Sequence, residues 1–324
     1  MTSMKFVVEA ELKHMGTCDA SGSTAIDPKH FVVANDEDNI LRIYHANKSG
    51  KPIHKITGTD INSYFQNNPK QKEVDIEGAT QLGETIYWIT SHGTNKKGKP
   101  RPERRQFFAN KISSDREDKR FQQVGYSYTH LLEDMLKDAR LSHYCLETAA
   151  QTPPKEAGGL NIEGLAATPE QNILIGFRNP IHKGKAILLP FINPNDVITR
   201  NTNAIFGEPI ELDLNGLGIR SIEYWSSHNQ FIIVAGPHDS GDEFALYQWS
   251  GQAGVQPKEI EVIGLPTDFR PESVLFYPNS SHQFQLLSDD GSVERSNGIR
   301  CKNIQNEADP NKYFRSVWIK VENV

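Results

Sequence analysis

The chain has 324 residues, of which 37% are hydrophobic and 23% are charged, and it contains 24 glycines and 18 prolines. This abundance of turn-forming residues is typical of a β protein with many loops and argues against a helical bundle. The formal net charge of −6 argues against nucleic acid as the main partner and against binding to an anionic membrane surface.

The three cysteines, Cys18, Cys145 and Cys301, lie far apart and do not have the spacing of a zinc site. We therefore expect three reduced thiols, as in an intracellular protein. The apolar stretch at the N-terminus is too short for a signal peptide, and no run of about 18 apolar residues occurs. The sequence thus predicts a cytoplasmic protein without a membrane-spanning segment.

Residues 5–12 alternate apolar with polar side chains, which predicts a half-buried strand at the start of the chain. An arrangement of three parts then repeats five times: an acidic residue, a short polar turn and a compact apolar run. The repeats recur roughly every 50–60 residues, apart from one longer interval. The acidic residues are Asp19, Glu77, Glu163, Glu223 and Glu272.

Each repeat contains segments typical of four short strands, except the last, which contains three. In the fourth repeat, the last strand is expected at residues 259–263. The strand at residues 5–12 would complete the fifth repeat. In the first repeat, the strands are expected at residues 22–26, 31–35, 40–45 and 51–57.

The second repeat is longer than the others because it contains two expansions. One is a basic loop at residues 93–104, and the other is a helical insertion at about residues 127–158, which follows a charged stretch at residues 115–120. Thr129 is the expected N-cap of the only convincing helix. The apolar stripe of that helix consists of Leu131, Leu132, Met135 and Leu136.

Four-stranded repeats of this length are typical of the blades of a β-propeller, which surround a central channel. We predict an all-β fold, a five-bladed β-propeller that forms a single domain over residues 1–324. The N-terminal strand is expected to close the last blade, which also removes a free sheet edge. The alternatives are six blades, with one hidden in the insertion, and a β-sandwich with coincidental spacing.

Several phrases of the sequence resemble a bacterial family known only as a domain of unknown function with a predicted propeller. This resemblance implies the propeller fold and carries no established activity. A weaker similarity, in the placement of the acids alone, is to five-bladed calcium-dependent nucleotidases of the apyrase type. The phrases are Asp75-Ile-Glu-Gly-Ala-Thr80, Trp88-Ile-Thr-Ser-His-Gly93, Asn161-Ile-Glu-Gly-Leu-Ala166, Ile175-Gly-Phe-Arg-Asn-Pro180, Gly218-Ile-Arg-Ser-Ile-Glu223 and Ala235-Gly-Pro-His-Asp239.

The innermost strands of a propeller line its channel, so the five acids would form a ring at the channel mouth. Carboxylates that converge without a cation repel one another, whereas Ca²⁺ takes about six to eight oxygen ligands. We therefore expect calcium as a cofactor of this acid ring. The alternatives are that the acids pair with Arg220, Arg270 or other channel residues, that they cap backbone N–H groups, or that some point away.

The loops after the second strands are expected on the same face as the acid ring. They carry Asp36, His92, Arg178, His238 and Asp289. An arginine there can bind a carboxylate or phosphate bidentately, and a histidine can act as a general base near neutral pH. A structural role for each single residue is the alternative. The candidate ligand-binding residues are Arg178, His92, His238, Arg220 and Arg270.

Three functional classes are consistent with this arrangement. The first is a calcium-dependent hydrolase or binder of an anionic small molecule such as a phosphoester, over which the basic loop could close. The second is a glycoside-processing enzyme that uses channel carboxylates, and the third is a non-catalytic scaffold for a protein or ligand. The basic loop favours an anion. The lack of a Gly-rich phosphate loop, a nucleophile elbow or a His-Glu-x-x-His motif favours the scaffold.

Overall fold

The computed structural model describes residues 4–53, 58–112, 121–278, 280–296 and 298–323. The strands of these residues form five sheets. The first strand of each sheet contacts the first strand of the next sheet, in a closed cycle around a central channel. The fold is therefore a five-bladed β-propeller, and the predicted fold class is confirmed.

The first four sheets each contain four antiparallel strands, which are hydrogen-bonded to one another in chain order. The first sheet consists of β2 (Gly22–Asp27), β3 (His30–Ala34), β4 (Ile40–His45) and β5 (Thr59–Asp60). The second consists of β6 (Ile76–Leu82), β7 (Thr85–Thr90), β8 (Phe107–Ile112) and β9 (Phe121–Tyr128). The third consists of β10 (Asn161–Ala167), β11 (Ile173–Asn179), β12 (Ala186–Phe191) and β13 (Ile210–Leu212). The fourth consists of β14 (Gly218–Trp225), β15 (Gln230–Gly236), β16 (Ala245–Trp249) and β17 (Lys258–Ile260).

The fifth sheet joins the two ends of the chain. It runs from β19 (Pro271–Leu275) through β20 (Gln283–Ser288) and β21 (Tyr313–Asn323) to β1 (Met4–Met15) and β18 (Val262–Ile263). β1 pairs antiparallel with β21, from Met4 opposite Asn323 to Met15 opposite Tyr313. The N-terminal strand thus closes the last blade, as the sequence predicts.

The compact apolar runs are second strands whose two faces are both buried. In β7, Ile86 and Trp88 pack toward the first sheet, whereas Tyr87 and Ile89 pack toward the third. Side chains alternate between the faces of a strand, so a strand covered on both faces is apolar at every position. Each pair of neighbouring sheets encloses its own apolar cluster in this way.

Two strand predictions are wrong in their placement. In the first sheet, residues 51–53 are not a strand and residues 54–57 lie outside the described residues, while the fourth strand is the short β5. The strand expected at residues 259–263 is divided, because β17 pairs with β16 and β18 pairs with β1 of the next sheet. The charged stretch at residues 115–120 also lies outside the described residues.

The helical insertion packs against the second and third sheets. It contains α1 (Leu131–Lys137), a 3-10 helix (Ala139–Tyr144) and α2 (Leu146–Ala149). The N-cap of α1 is His130 rather than Thr129, and Leu136 of the expected stripe is exposed. A helix that was not predicted, α3 (Pro194–Arg200), connects β12 to β13, contacts β9 and buries Val197 and Ile198 in the same apolar cluster as residues of α1. Within the described part of the chain, no helix is long and apolar enough to span a membrane.

Cys18 and Cys301 form a disulfide, so the expectation of three reduced thiols is wrong; Cys145 is free and exposed. Their Cα atoms lie 5.8 Å apart although the two residues are separated by 283 positions. Cys18 precedes β2, and Cys301 lies in the long connection from β20 to β21. The bond therefore links the first blade to the last, at the same seam that β1 closes.

We expect replacement of Cys18 and Cys301 by serine to destabilise the protein by about 2–5 kcal/mol, the usual cost of removing a native disulfide. Thermal unfolding with and without reductant measures this effect. Cys145→Ser is the matched control, because that thiol is unpaired, and it should leave the melting temperature unchanged. Equal melting temperatures for the oxidised and reduced wild type would contradict the assignment.

Candidate functional site

The innermost strands of four blades each contain a β-bulge near the channel mouth. At each bulge, one charged residue has no partner on the neighbouring strand. These residues are Glu77 in β6, Glu163 in β10, Arg220 in β14 and Glu272 in β19. A β-bulge turns the side chain of its extra residue away from the regular pleat. Four charged side chains from four blades converge on the channel as a result.

The inner strands approach one another closely just beyond these bulges. A Cβ atom on Gly78 would lie 2.8 Å from the carbonyl oxygen of Glu163, and one on Gly164 would lie 2.8 Å from Ile219 Cγ2. Glycine is required at both positions because a side chain would push the blades apart. The close approach of the strands also brings the bulge residues within reach of one another.

Glu77, Glu163 and Glu272 form a cluster that we name the carboxylate triad. One oxygen from each lies within 4.8 Å of the other two. Arg220 Nε donates a hydrogen bond of 3.0 Å to Glu272 Oε2 and lies 3.7 Å from Glu163 Oε2. Arg178 Nη1 donates to Glu163 Oε1 at 2.8 Å. The alternative to a metal ring, in which channel acids pair with Arg220, therefore describes two of the three carboxylates.

The members of the carboxylate triad differ in charge. Burial opposes ionisation of Glu163, but Arg178 and Arg220 outweigh burial and lower its pKa. Burial raises the pKa of Glu272 to about 7 despite the attraction of Arg220. Burial and the neighbouring carboxylates, Glu163 first, raise the pKa of Glu77 well above its usual value. No ion pair to Glu77 is formed by the described residues.

More acids surround the carboxylate triad. Burial raises the pKa of Asp19 well above its usual value, and the charges of Asp36 and Asp289 add to this effect. Burial likewise raises the pKa of Asp36, with further contributions from Asp75 and Asp289. Asp36 and Asp289 come from the loops after second strands, as expected for that face. The channel mouth is thus rich in carboxyl groups that favour protons or a cation.

Glu223 does not lie with the other acids of the predicted ring. It is three residues beyond Arg220 on β14, which is about 10 Å along a strand. It lines a cavity of about 610 Å³ with Ala25, Gln81 and Leu275, residues near the far ends of other inner strands. Burial raises its pKa to about 8. The fourth sheet therefore contributes Arg220 to the mouth, and Glu223 belongs to the opposite end of the channel.

Arg178 is already engaged by the protein. Its Nε donates to the carbonyl of Pro237 at 2.8 Å and its Nη2 to the carbonyl of Asp239 at 2.6 Å, in addition to the bond to Glu163. These bonds hold the loop that contains His238 against the channel mouth. The side chain of Arg178 is 7% exposed, so it orients this loop and Glu163.

The other candidate ligand-binding residues differ in their accessibility. His92 is buried, is hydrogen-bonded through Nδ1 to the carbonyl of Thr90, and has a pKa lowered by burial to about 4. His238 is half-buried. Arg270 forms an ion pair of 2.6 Å with the exposed Asp242 and contacts Ser292. Of the five candidates, His238 and Arg270 are therefore more accessible than the buried Arg178, Arg220 and His92.

The basic loop is anchored to acids of the protein. Arg101 and Arg104 bind Glu73 at 2.8 and 2.7 Å, and Arg104 also binds Asp75 at 2.9 Å. Arg101 Nε binds Glu103 at 2.6 Å. The exposed charged residues of this loop are its lysines, Lys96, Lys97 and Lys99. The arginines thus fasten the loop beside the channel mouth.

Comparison with known proteins gives a family and several distant structural resemblances. The family model described as Protein of unknown function (DUF3616) matches residues 19–120 and 106–268, well over half of the chain. No curated protein matches the sequence.

Three solved structures illustrate the structural resemblances. Glutaminyl cyclase from Myxococcus xanthus is 11% identical, with a TM-score of 0.49 and coverage of 100% of this chain and 99% of that one. The PQQ-bound aldose sugar dehydrogenase from Streptomyces coelicolor is 10% identical, with a TM-score of 0.49 and 99% coverage of both chains. Sialidase from Trypanosoma rangeli is 11% identical, with a TM-score of 0.41 and coverage of 84% of this chain and 43% of the sialidase. At these identities and TM-scores, the resemblances do not extend to activity or ligand.

Proposed function

The chain belongs to the family described as Protein of unknown function (DUF3616), and from its channel we propose that it binds Ca²⁺ and, beside it, an anionic small molecule such as a phosphoester. The proposed cation ligands are Glu77, Glu163 and Glu272, with Asp19 and Asp36 close by. The observation that carries the proposal is the convergence of three carboxylates of the inner strands within 4.8 Å.

The spacing of the carboxylate triad suits a hard cation. Calcium–oxygen distances are about 2.3–2.6 Å, so two ligands on opposite sides of one ion are about 4.8 Å apart. All three oxygens of the carboxylate triad satisfy this limit. Glu163 Oε2 is buried and accepts no hydrogen bond from the described residues, which leaves it a lone pair for a ligand.

The distribution of charge in the channel favours a cation close to Glu77. Arg220 lies between Glu163 and Glu272 and offsets part of their charge. The largest influences on Glu77, Asp19 and Asp36 are burial and neighbouring carboxylates, and these raise the pKa of all three groups. A cation beside them would remove this repulsion and allow the three carboxyls to ionise.

Accessible groups at the rim suit an anion. His238 is half-buried, and the partner of Arg270 is a carboxylate whose side chain is 70% exposed. An exposed ion pair contributes little stability, so an anionic ligand can displace Asp242 from Arg270 at small cost. The role of Arg178 in this proposal is to position Glu163 and the loop of His238.

For the hydrolase form of the proposal, the carboxylate triad also supplies groups in two protonation states. Glu163 is ionised at neutral pH, whereas Glu272, with a pKa of about 7, can hold or release a proton. Such a pair suits acid–base work on a bound substrate. A bound cation would polarise a phosphoryl oxygen.

Glycoside processing is the second candidate function, and the same pair of carboxyls favours it. Retaining glycosidases place two carboxyl groups about 5–5.5 Å apart, with one ionised and one protonated. Glu163 and Glu272 have these two states, and one oxygen of each lies within 4.8 Å of the other. A non-catalytic scaffold that binds a protein partner is the third candidate.

The test compares ligand binding and turnover with and without Ca²⁺. Phosphate monoesters, phosphodiesters, nucleotides and aryl glycosides are added to chelated protein and to protein with excess Ca²⁺. We expect binding or hydrolysis of a phosphoester that requires Ca²⁺ and is lost in Glu77→Gln. Glu84→Gln is the matched control, because that carboxylate is 89% exposed in the hairpin of the same sheet.

Each other outcome of this test has a defined meaning. Phosphoester binding that is equal with and without Ca²⁺ would contradict the role of the cation. Turnover of a glycoside in chelated protein would establish the second candidate. If no compound is bound or hydrolysed, the non-catalytic scaffold is the remaining candidate function.

The cytoplasmic location stays a prediction from the sequence. The Cys18–Cys301 disulfide weighs against it, because disulfides are rare in cytosolic proteins and persist in oxidising compartments.

The concentration range for a calcium titration follows from an extracellular location. Extracellular calcium modules bind the ion with dissociation constants of about 10⁻⁴–10⁻³ M.

A further inference from the structure

A second group of metal-ligating side chains lies outside the channel, where the helical insertion meets the third sheet. His143 belongs to the 3-10 helix Ala139–Tyr144, His182 to the connection from β11 to β12, and Glu211 to β13. One ligand atom from each side chain lies within 4.8 Å of the other two. The group combines two imidazoles and one carboxylate from three segments that are distant in sequence.

We propose that His143, His182 and Glu211 bind a divalent transition-metal ion, Zn²⁺, which fastens the insertion to the third blade. Imidazole nitrogen and carboxylate oxygen are both zinc ligands, and three protein ligands leave a fourth position for water. The donor set distinguishes this site from the channel. Imidazoles suit zinc, copper and nickel, whereas a cluster of carboxylates suits calcium or magnesium.

The distances require only a small adjustment. His182 Nδ1 lies 2.7 Å from Glu211 Oε1. Two ligands of a tetrahedral zinc ion with bonds of about 2.0–2.1 Å are about 3.4 Å apart, so this pair must open by about 0.7 Å. His143 is exposed, and its side chain can approach without disturbing the core.

Neighbouring contacts hold the three segments together without a metal. The ring centroid of Tyr144 lies 5.0 Å from that of His182, and the Tyr144 hydroxyl lies 3.5 Å from Glu211 Oε1. Arg140 of the same 3-10 helix donates to the carbonyl of Phe206 at 2.8 Å. These contacts order the ligands in advance, which reduces the entropy lost on binding.

The groups around Glu211 have opposing effects on cation binding. His182 Nδ1 lies within hydrogen-bond distance of Glu211 Oε1, at 2.7 Å, and this contact orders two of the ligands. The positive charge of Lys185 opposes a cation at the same place.

The test is a calorimetric titration of Zn²⁺ into the untagged full chain that carries Glu77→Gln, which removes a proposed channel ligand. We expect one zinc ion per chain. His143→Ala or His182→Ala should weaken zinc binding by at least about 10–100-fold, because mutation of a residue that only hydrogen-bonds to a metal ligand already has an effect of this size. His130→Ala is the matched control. It removes an exposed histidine of the same region, which lies 3.8 Å from Glu133 and belongs to no group of three ligands among the described residues.

Co²⁺ gives a second readout, because its visible absorption reports the nitrogen ligands directly. The cobalt spectrum should weaken in His143→Ala, whose side chain is exposed and whose loss should leave the fold intact. Zinc binding of equal strength in the parent and in His143→Ala would overturn the proposal, as would the absence of zinc binding in the parent. Neither result would bear on calcium in the channel.

Discussion

Deletion of residues 1–12 is expected to abolish the cooperative unfolding transition, because it removes most of the strand that closes the propeller. β1 pairs with β21 along almost its whole length and also holds the edge strand β18. Phe6 is 3% exposed and packs with Phe284 in the cluster between the fourth and fifth blades. Loss of one buried phenylalanine costs about 3–5 kcal/mol, and total stabilities are only about 5–15 kcal/mol.

Two point variants test whether the buried side chains of β1 account for this loss of stability. Phe6→Ala should lower the free energy of unfolding by about 3–5 kcal/mol, whereas Lys5→Ala, at the exposed neighbouring position, should change it by less than about 0.5 kcal/mol. Circular dichroism during thermal unfolding measures the stability of the truncated chain and of the two point variants against the full chain. A truncated chain that melts at the temperature of the full chain would show that β1 does not complete the fifth blade.

The fold could be predicted because its main signal lies within single repeats. Apolar runs such as residues 86–89 face a neighbouring blade on both sides, and this leaves a continuous pattern in the sequence. The shorter outer strands leave a weaker pattern in the sequence. Val262–Ile263 and Lys258–Ile260 are adjacent in the chain but belong to different sheets, and their pairing depends on β1 and β16, not on their own residues.

The candidate site could be predicted only in part, because its side chains are directed by bulges. The repeat pattern indicates Glu223 as the acid of the fourth repeat, yet the bulge residue there is Arg220. A local signal does exist: at each bulge, an apolar residue or proline precedes the charged residue and glycine or serine follows it. The disulfide leaves no such signal, since its cysteines meet only after the ring has closed.

The second large effect expected is a loss of stability of the calcium-free protein between pH 7 and pH 9. The folded-state pKa values of Glu77, Asp19 and Asp36 are raised well above their usual values, and that of Glu272 is raised to about 7. The folded state therefore binds more protons than the unfolded state above the unfolded pKa of these acids. Stability must then fall as pH rises through the folded pKa values.

A raised pKa costs stability between its unfolded and its folded value, so Glu272, whose pKa is raised from 4.5 to about 7, loses most of its contribution below pH 7. Within the window, Glu223 contributes because burial raises its pKa to about 8. One pKa unit corresponds to about 1.4 kcal/mol, so the loss from Glu223 between pH 7 and pH 9 is about 1.4 kcal/mol. Glu163 does not contribute in this window, because its pKa is lowered and it is ionised throughout. The buried His14 and His92 have lowered pKa values, so they are neutral above pH 7 in both states.

Calcium should offset part of this loss, because a cation stabilises the ionised form of the carboxylate triad. At a free concentration of 100 times the dissociation constant, the gain is about 2.7 kcal/mol, and it should be larger at pH 9 than at pH 7. Glu77→Gln should remove both the calcium response and part of the pH dependence. A wild-type protein whose stability is constant from pH 7 to pH 9 would contradict the raised pKa values described for the carboxyl groups of the channel.

The most direct measurement is a calorimetric titration of Ca²⁺ into chelated wild type, Glu77→Gln and Glu84→Gln at pH 8. If the carboxylate triad binds the ion, the wild type and Glu84→Gln bind one Ca²⁺ per chain with the same affinity, and Glu77→Gln binds none in the millimolar range. Equal calcium binding by all three proteins, or none by the wild type, would contradict a cation site in the channel.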